Sequence, residues 1–401
     1  MSPRLAVGAI MAFVVLTAVM IVTGYPLIWY RDTDFVSFWI AGRMLLEGRD
    51  PYDAEAFAAM HRSVGSAAYA LVPGTGFGYP LPTALVVVPF SLLPLGIAAP
   101  VWLASQIVVA TAGLGALAAG ALRSDLRRGL PFVLGFAAAS QPAYLVFRAG
   151  NMDGFLLGAV AGALALFLAS RPRGAGALIG ALVVKPHPFL LFVPALVLVF
   201  GRGARRAVTA AAAVAFVLVL ASLGLRPVWP SEWARNPVAL VSAPLPRANV
   251  WAVASIAGPW VAAICALLVI VAVLWWGRSR RSDPLTHAAA WLALSLFVAP
   301  YLWSHDHLLL QVCTVACIAM AYRHSRTRAF ALVATAFGLV VAPWMLYAAG
   351  WDTGNEGLSA VTPVAALATL IGLSFLGSDV EFARAGTAGT HQAPPSPARR
   401  A

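Results

Sequence analysis

Few residues in this chain can do chemistry. Only 15 of 401 residues are acidic, and six crowd into one stretch: Asp32, Asp34, Glu47, Asp50, Asp53 and Glu55. Asp50, Asp53 and Glu55 read as a solvated loop. Asp32 and Asp34 differ, because they abut the end of a long apolar run. A carboxylate at such a boundary is partly desolvated, which is the setting of a general base. Lys185, the single lysine, sits inside another apolar run, where a lone cation needs a carboxylate or an anionic ligand beside it. His305 and His307 stand two apart, about 200° around a helix, so both face one site only where a helix ends. Asn151 and Asp153 read as polar-cavity or cap residues as readily as ligands. The histidines and carboxylates show no metal-ligand spacing, so no metal is expected.

The elements that position these residues are membrane helices. Of the chain, 61% is apolar and 10% charged, with a mean hydropathy of +0.84. A soluble domain carries about 25% charged residues. Apolar runs of about 18 residues or more recur, each long enough to cross about 30 Å of hydrocarbon as helix. The spans expected lie near 5–29, 80–93, 96–122, 131–147, 152–170, 174–200, 207–225, 250–276, 286–303, 306–322, 329–349 and 358–377. The fold class is therefore all-α, a polytopic integral membrane protein of about twelve helices. No cleavage site follows residues 5–29, so they are kept as the first span.

The formal charge of +12 does not point to nucleic acid, because the arginines sit in short clusters between apolar runs. Cys265, Cys313 and Cys317 lie within apolar runs and read as small core residues. With the N-terminus inside, the clusters at 202–206, 278–281 and 323–328 face the cytoplasm. On that count the Arg123/Arg127/Arg128 and Arg171/Arg173 clusters fall outside. Two polar segments, 30–79 and 226–249, then face outward. In the second, Trp229, Trp233, Arg235 and Arg247 read as an interfacial belt. Residues 1–377 form the membrane-embedded domain, and 378–401 a disordered cytoplasmic tail. Residues 34–47 read as an amphipathic helix in the membrane interface, with Phe35, Phe38, Trp39, Gly42, Leu45 and Leu46 on its apolar side and Gly48 as its stop.

That segment, Asp34-Phe35-Val36-Ser37-Phe38-Trp39-Ile40-Ala41-Gly42 followed by Leu45-Leu46-Glu47-Gly48-Arg49-Asp50-Pro51-Tyr52, resembles the first outer loop of glycosyltransferase family 87, in the GT-C superfamily. Tyr79-Pro80-Leu81-Pro82 is similar to the family's Tyr-Pro-Pro entry to a span. Leu92-Leu93-Pro94-Leu95 with Trp102 resembles its next helical pair, and Lys185-Pro186-His187-Pro188 its Lys-Pro motif. Pro300, Trp303 and His305 fit its Pro-x-x-Trp-x-His pattern. Two departures stand out. Arg148-Ala149-Gly150-Asn151-Met152-Asp153 replaces the family's Gly-Gln-x-Asn, and Ser304 precedes the histidine where Asp is common, with Asp306 and His307 after it.

The resemblance implies an enzyme that takes a sugar, mannose most commonly, from a polyprenyl phosphate and passes it to a glycolipid or lipoglycan at the outer membrane face. It places the catalytic carboxylate at Asp34. Such a reaction needs no general acid, because phosphate leaves readily. It needs a base for the acceptor hydroxyl and positive charge near the departing phosphate. By analogy with single-displacement glycoside chemistry the anomer inverts. His305 is the first expected phosphate cation and Lys185 the second. Asp32, Tyr52, Tyr79, Asn151, Asp153, Asp306 and His307 are further site candidates. No cofactor is implied. The rival within the class is arabinofuranosyl transfer. The rival outside it is a transporter or flippase, which would line several mid-membrane spans with charge, whereas Lys185 is nearly alone.

Overall fold

The computed structural model describes residues 33–67, 74–242, 247–279, 283–324, 327–350 and 356–388. Among these residues every regular element is helical. Six helical stretches among the described residues are long and apolar enough to cross a membrane: Leu95–Ala139, which a turn at Arg123 divides, Arg202–Leu225, Pro259–Arg278, Ser304–Arg323, Arg328–Gly350 and Glu356–Phe375. The expected first span and Asp32 lie outside the described residues.

Helix α1 (Asp34–Leu46) lies where the sequence places it, but in a different setting. Phe35, Val36, Phe38, Ile40, Ala41 and Met44 are all at most 1% exposed, so nearly every side of the helix meets protein. Leu46, expected on the apolar side, is exposed instead. An interfacial helix keeps one face in lipid headgroups; this one is enclosed. After α2 (Ala54–Ser63), α3 (Leu81–Ser91) packs along it. The Trp39 indole donates to the Leu93 carbonyl at 3.0 Å, and Ser91 Oγ donates to the Trp39 carbonyl at 2.9 Å. At 11 residues α3 is about 16 Å long, half a bilayer core. The expected span at 80–93 is thus a short helix lying beside α1.

Helix α4 (Leu95–Leu122) turns back at Arg123, whose φ is 50°, into α5 (Leu126–Ala139), which leads to α6 (Gln141–Ala149). Helix α7 (Asp153–Leu168) packs closely on α4. A Cβ on Gly113 would stand 2.5 Å from the Gly158 carbonyl oxygen, so only glycine allows these backbones to approach.

The expected span at 174–200 is not one helix. Lys185 takes φ −146°, ψ 77° ahead of Pro186, because a residue before proline is driven out of the helical region. Helix α8 (Pro172–Gly180), with a 3₁₀ turn over Ala181–Val184, rises to this break. A second turn, His187–Phe189, and α9 (Phe192–Phe200) lead back. The freed backbone groups are met by neighbours: Thr83 Oγ1 donates to the Val184 carbonyl at 2.5 Å, and Ser295 Oγ donates to the Pro188 carbonyl at 2.7 Å while accepting the Leu191 N–H at 3.1 Å. Arg171 and Arg173 before the hairpin line one cavity with Arg206 after it, in α10 (Arg202–Leu225).

This overturns the count that split the arginine clusters. Neither 80–93 nor 174–200 is a single crossing, and the clusters meet at one end of the bundle. Arg123 and Asp125 border a cavity with Leu168, Asp283, Tyr322 and Arg323. The Tyr322 hydroxyl donates to the Arg128 carbonyl at 2.8 Å, and Arg323 pairs with Asp283. The chain continues through α11 (Trp229–Ser242), α12 (Trp251–Ala257), α13 (Pro259–Ser279) and α14 (Pro284–Val298). Helix α15 (Gln311–Arg323) is buried on all sides from Gln311 to Ala321, which makes it the bundle's centre. Helix α16 (Arg328–Ala336) and α17 (Ala342–Gly350) follow, and α18 (Val361–Ala388) runs helically past residue 377.

Candidate functional site

Asp34 stands in the first turn of α1, where the helix dipole favours a carboxylate. Gly150 caps α6 with φ 67°, and a Cβ there would lie 2.8 Å from Phe35 Cβ. The Trp102 indole, 5.1 Å from the Phe35 ring, donates to the Gly150 carbonyl at 2.9 Å. These contacts hold the residue after Gly150 against the start of α1. Asn151 Nδ2 therefore donates to Asp34 Oδ2 at 2.9 Å. Among the described residues, Asp34 Oδ1 has no hydrogen-bond partner.

Behind Asn151 lies a buried ionic group. Lys185 Nζ reaches Asn151 Oδ1 at 3.3 Å, Asp153 Oδ1 at 2.8 Å and Asp306 Oδ1 at 2.5 Å. Lys185 is 2% exposed; its ammonium donates to Asn151 and Asp153 and forms an ion pair with Asp306. Its ammonium lies between two carboxylates that burial would otherwise make costly, and its single positive charge offsets one of them. Of the two settings expected for this lysine, the structure shows the one beside carboxylates.

The turn Ser304–Leu310 carries the histidines. Asp306 Oδ2 accepts the Trp303 N–H at 2.8 Å, and Glu356 Oε2 accepts the Ser304 N–H at 2.7 Å, which fixes the turn. His305 is 12% exposed by side chain. Its Nε2 lies 3.7 Å from Asp153 Oδ2 and 3.9 Å from Asp306 Oδ2. Its ring stacks on Trp303 at 6.5 Å and 12°. His307 diverges from it, buried, with Nε2 donating to the Ala248 carbonyl at 2.9 Å. The two histidines do not share a site.

Tyr79 Oη lies 3.4 Å from Asn151 Nδ2, so this residue borders the site. Tyr52 is one step further out and donates to the Tyr79 carbonyl at 2.9 Å. Burial holds both phenols well above their ordinary value, so they stay protonated donors. The loop acids have structural partners. Asp53 caps α2 by accepting the Glu55 and Ala56 N–H groups at 3.0 Å each, and Asp50 pairs with Arg226. Arg226 also pairs with Glu232 at 2.5 Å. The hydrogen bond to Glu232, then the neighbouring charge of Asp50, raise the guanidinium's pKa further. Trp233 donates to the Gly78 carbonyl at 3.2 Å, and Trp229 is 6% exposed, so these tryptophans pack the two polar segments together.

Two features were not legible in the sequence. Glu356 closes the Ser304 turn from far along the chain, with no local pattern to mark it. Asp153, His305 and Asp306 each offer a ligand atom within 4.8 Å of the others, a grouping that no linear spacing announces. Lys185 already stands on both carboxylates and supplies the cation there. Asp32 and Asp34 are themselves spaced Asp-x-Asp, which corrects the reading of the carboxylates as free of ligand spacing; Asp32 lies outside the described residues.

The sequence profile of glycosyltransferase family 87 matches residues 77–304, more than half of the chain. No curated protein matches.

Proposed function

The chain belongs to glycosyltransferase family 87 and is a membrane glycosyltransferase, and from that premise we propose that it moves a hexose, mannose, from a polyprenyl phosphate to a glycolipid or lipoglycan. Arabinofuranose on the same carrier is the rival reading within the same class. Against the transporter alternative, Lys185, Asp153, Asp306 and His305 converge on one network among the described residues instead of lining several helices.

One observation carries the proposal. A half-buried carboxylate, with one oxygen tied and the other without a hydrogen-bond partner among the described residues, is linked through Asn151 and Lys185 to a histidine at the rim of the same polar cluster. In the step proposed, the acceptor hydroxyl oxygen bonds to the anomeric carbon and its proton passes to Asp34 Oδ1. The carbon–oxygen bond to phosphate breaks, and its electron pair leaves on the phosphate. His305 faces that growing negative charge, where positive charge helps the transition state more than the ground state. Attack opposite the leaving group inverts the anomer.

The site end of the bundle is proposed to face outward, because the arginine clusters gather at the other end and loops rich in Arg stay cytoplasmic. Residues 1–377 form the multi-pass catalytic domain in this reading. The test is a panel of lipid-linked sugars offered to purified protein in nanodiscs. Transfer from polyprenyl-phosphate mannose supports the first reading and transfer from the arabinofuranose carrier the second. No transfer from any lipid-phosphate sugar removes the donor assignment.

A further inference from the structure

We infer that Asn151 is the positioning residue for the base, holding Asp34 in one orientation while itself anchored by the buried Lys185 group. The inference rests on the reading of Asp34 as general base. The bland alternative for Asn151 is a helix cap, and the geometry speaks against it. Met152 occupies the cap position of α7, where no side chain makes a capping hydrogen bond.

Asn151 is 1% exposed, and all four hydrogen-bonding positions of its amide are used. Nδ2 donates to Asp34 Oδ2 at 2.9 Å and faces Tyr79 Oη at 3.4 Å. Oδ1 accepts the Met152 N–H at 2.7 Å and the Lys185 ammonium at 3.3 Å. A flipped amide would set its oxygen against the Asp34 carboxylate and its NH₂ against the ammonium, so the neighbours permit one orientation. Lys185 cannot drift, because Asp153 and Asp306 hold it at 2.8 and 2.5 Å. The chain of contacts thus runs from a fixed ion group, through an amide with no freedom, to one oxygen of Asp34.

The consequence falls on the other oxygen. A lone carboxylate at a helix start can rotate, and a base that wanders loses the advantage of alignment with the incoming hydroxyl. Pinning Oδ2 presents Oδ1 in one direction. Asn151 exchanges no proton and forms no bond in the reaction. It acts only through Asp34.

The experiment compares wild type, Asn151→Ala, Asp34→Asn and the double variant by single-turnover transfer from a radiolabelled polyprenyl-phosphate sugar in nanodiscs. Asn151→Ala should lower kcat roughly 100-fold with both KM values unchanged, the size expected when a reacting group is displaced by about 1 Å. The double variant should be no slower than Asp34→Asn alone, since a residue acting through Asp34 has nothing left to act on. If Asp34→Asn retains activity, the base assignment fails. If Asp34→Asn is inactive but Asn151→Ala is normal, the base assignment stands and this inference falls. It also falls if the two losses multiply. Should the alanine variant not fold, Asn151→Ser, whose hydroxyl is too short to span both neighbours, carries the same expectation.

Discussion

Lys185 and Asp306 meet at 2.5 Å with both side chains closed off from solvent. Removing one member of a buried pair leaves an uncompensated charge and costs about 3–5 kcal/mol. Lys185→Met should therefore lower the yield of folded protein and its melting temperature in detergent. A lysine that served only the donor phosphate would instead leave melting unchanged and raise the donor KM.

Asp34→Asn keeps the shape of the side chain and its place beside Asn151 while removing the base. Turnover should fall roughly 100- to 10,000-fold, with donor binding retained. Asp32→Asn should leave turnover near normal. Equal losses in the two variants would sink the assignment of the base to position 34.

His305→Ala should reduce turnover while acceptor affinity stays put, because the charge it faces develops as the phosphate departs. Since Nε2 sits near Asp153 and Asp306 without a close hydrogen bond to either, melting should change little. A variant that matches wild type in turnover would leave the phosphate to be held elsewhere.

Gly150→Ala introduces a Cβ at a φ of 67° and 2.8 Å from Phe35 Cβ. The strain is of order 1–3 kcal/mol, and relief moves Asn151 away from Asp34. Melting temperature and turnover should both fall, and a variant that matches wild type in both would show that the turn absorbs the added Cβ without moving Asn151.

Orientation can be read by an impermeant thiol reagent on intact cells, in a background where Cys265, Cys313 and Cys317 are replaced. Glu55→Cys, exposed in the first polar segment, should be labelled, and Arg206→Cys, exposed at the arginine-rich end, should not. The reverse pattern would turn the protein over and remove the outward-facing site.

The local elements were legible where one stretch of sequence decides them. Asp34 starts a helix because an apolar pattern begins there and Gly48 stops it. Lys185 reads as a buried cation because it stands alone inside an apolar run. The errors came from length and company. An 11-residue helix and a Lys-Pro break each look like part of a span until their neighbours are known. The enclosure of α1 depends on α3, and the Asn151 contact depends on Trp102 and Phe35, which are distant in sequence. Helix faces can be read from periodicity, but the partners that cover them cannot.

The broken hairpin at Lys185-Pro186 also bears on how the protein is made. Its unpaired carbonyls and N–H groups cannot rest in lipid alone. Thr83 is in place when the hairpin is synthesised, but Ser295, which serves both Pro188 and Leu191, comes from the ribosome about 100 residues later. Asp306, the second carboxylate on Lys185, emerges later still. The hairpin therefore waits, shielded by water, chaperone or translocon, until α14 and the histidine turn arrive. Biogenesis of the site is a late event, and a chain truncated before residue 306 should insert its outer helices yet never assemble a reactive centre.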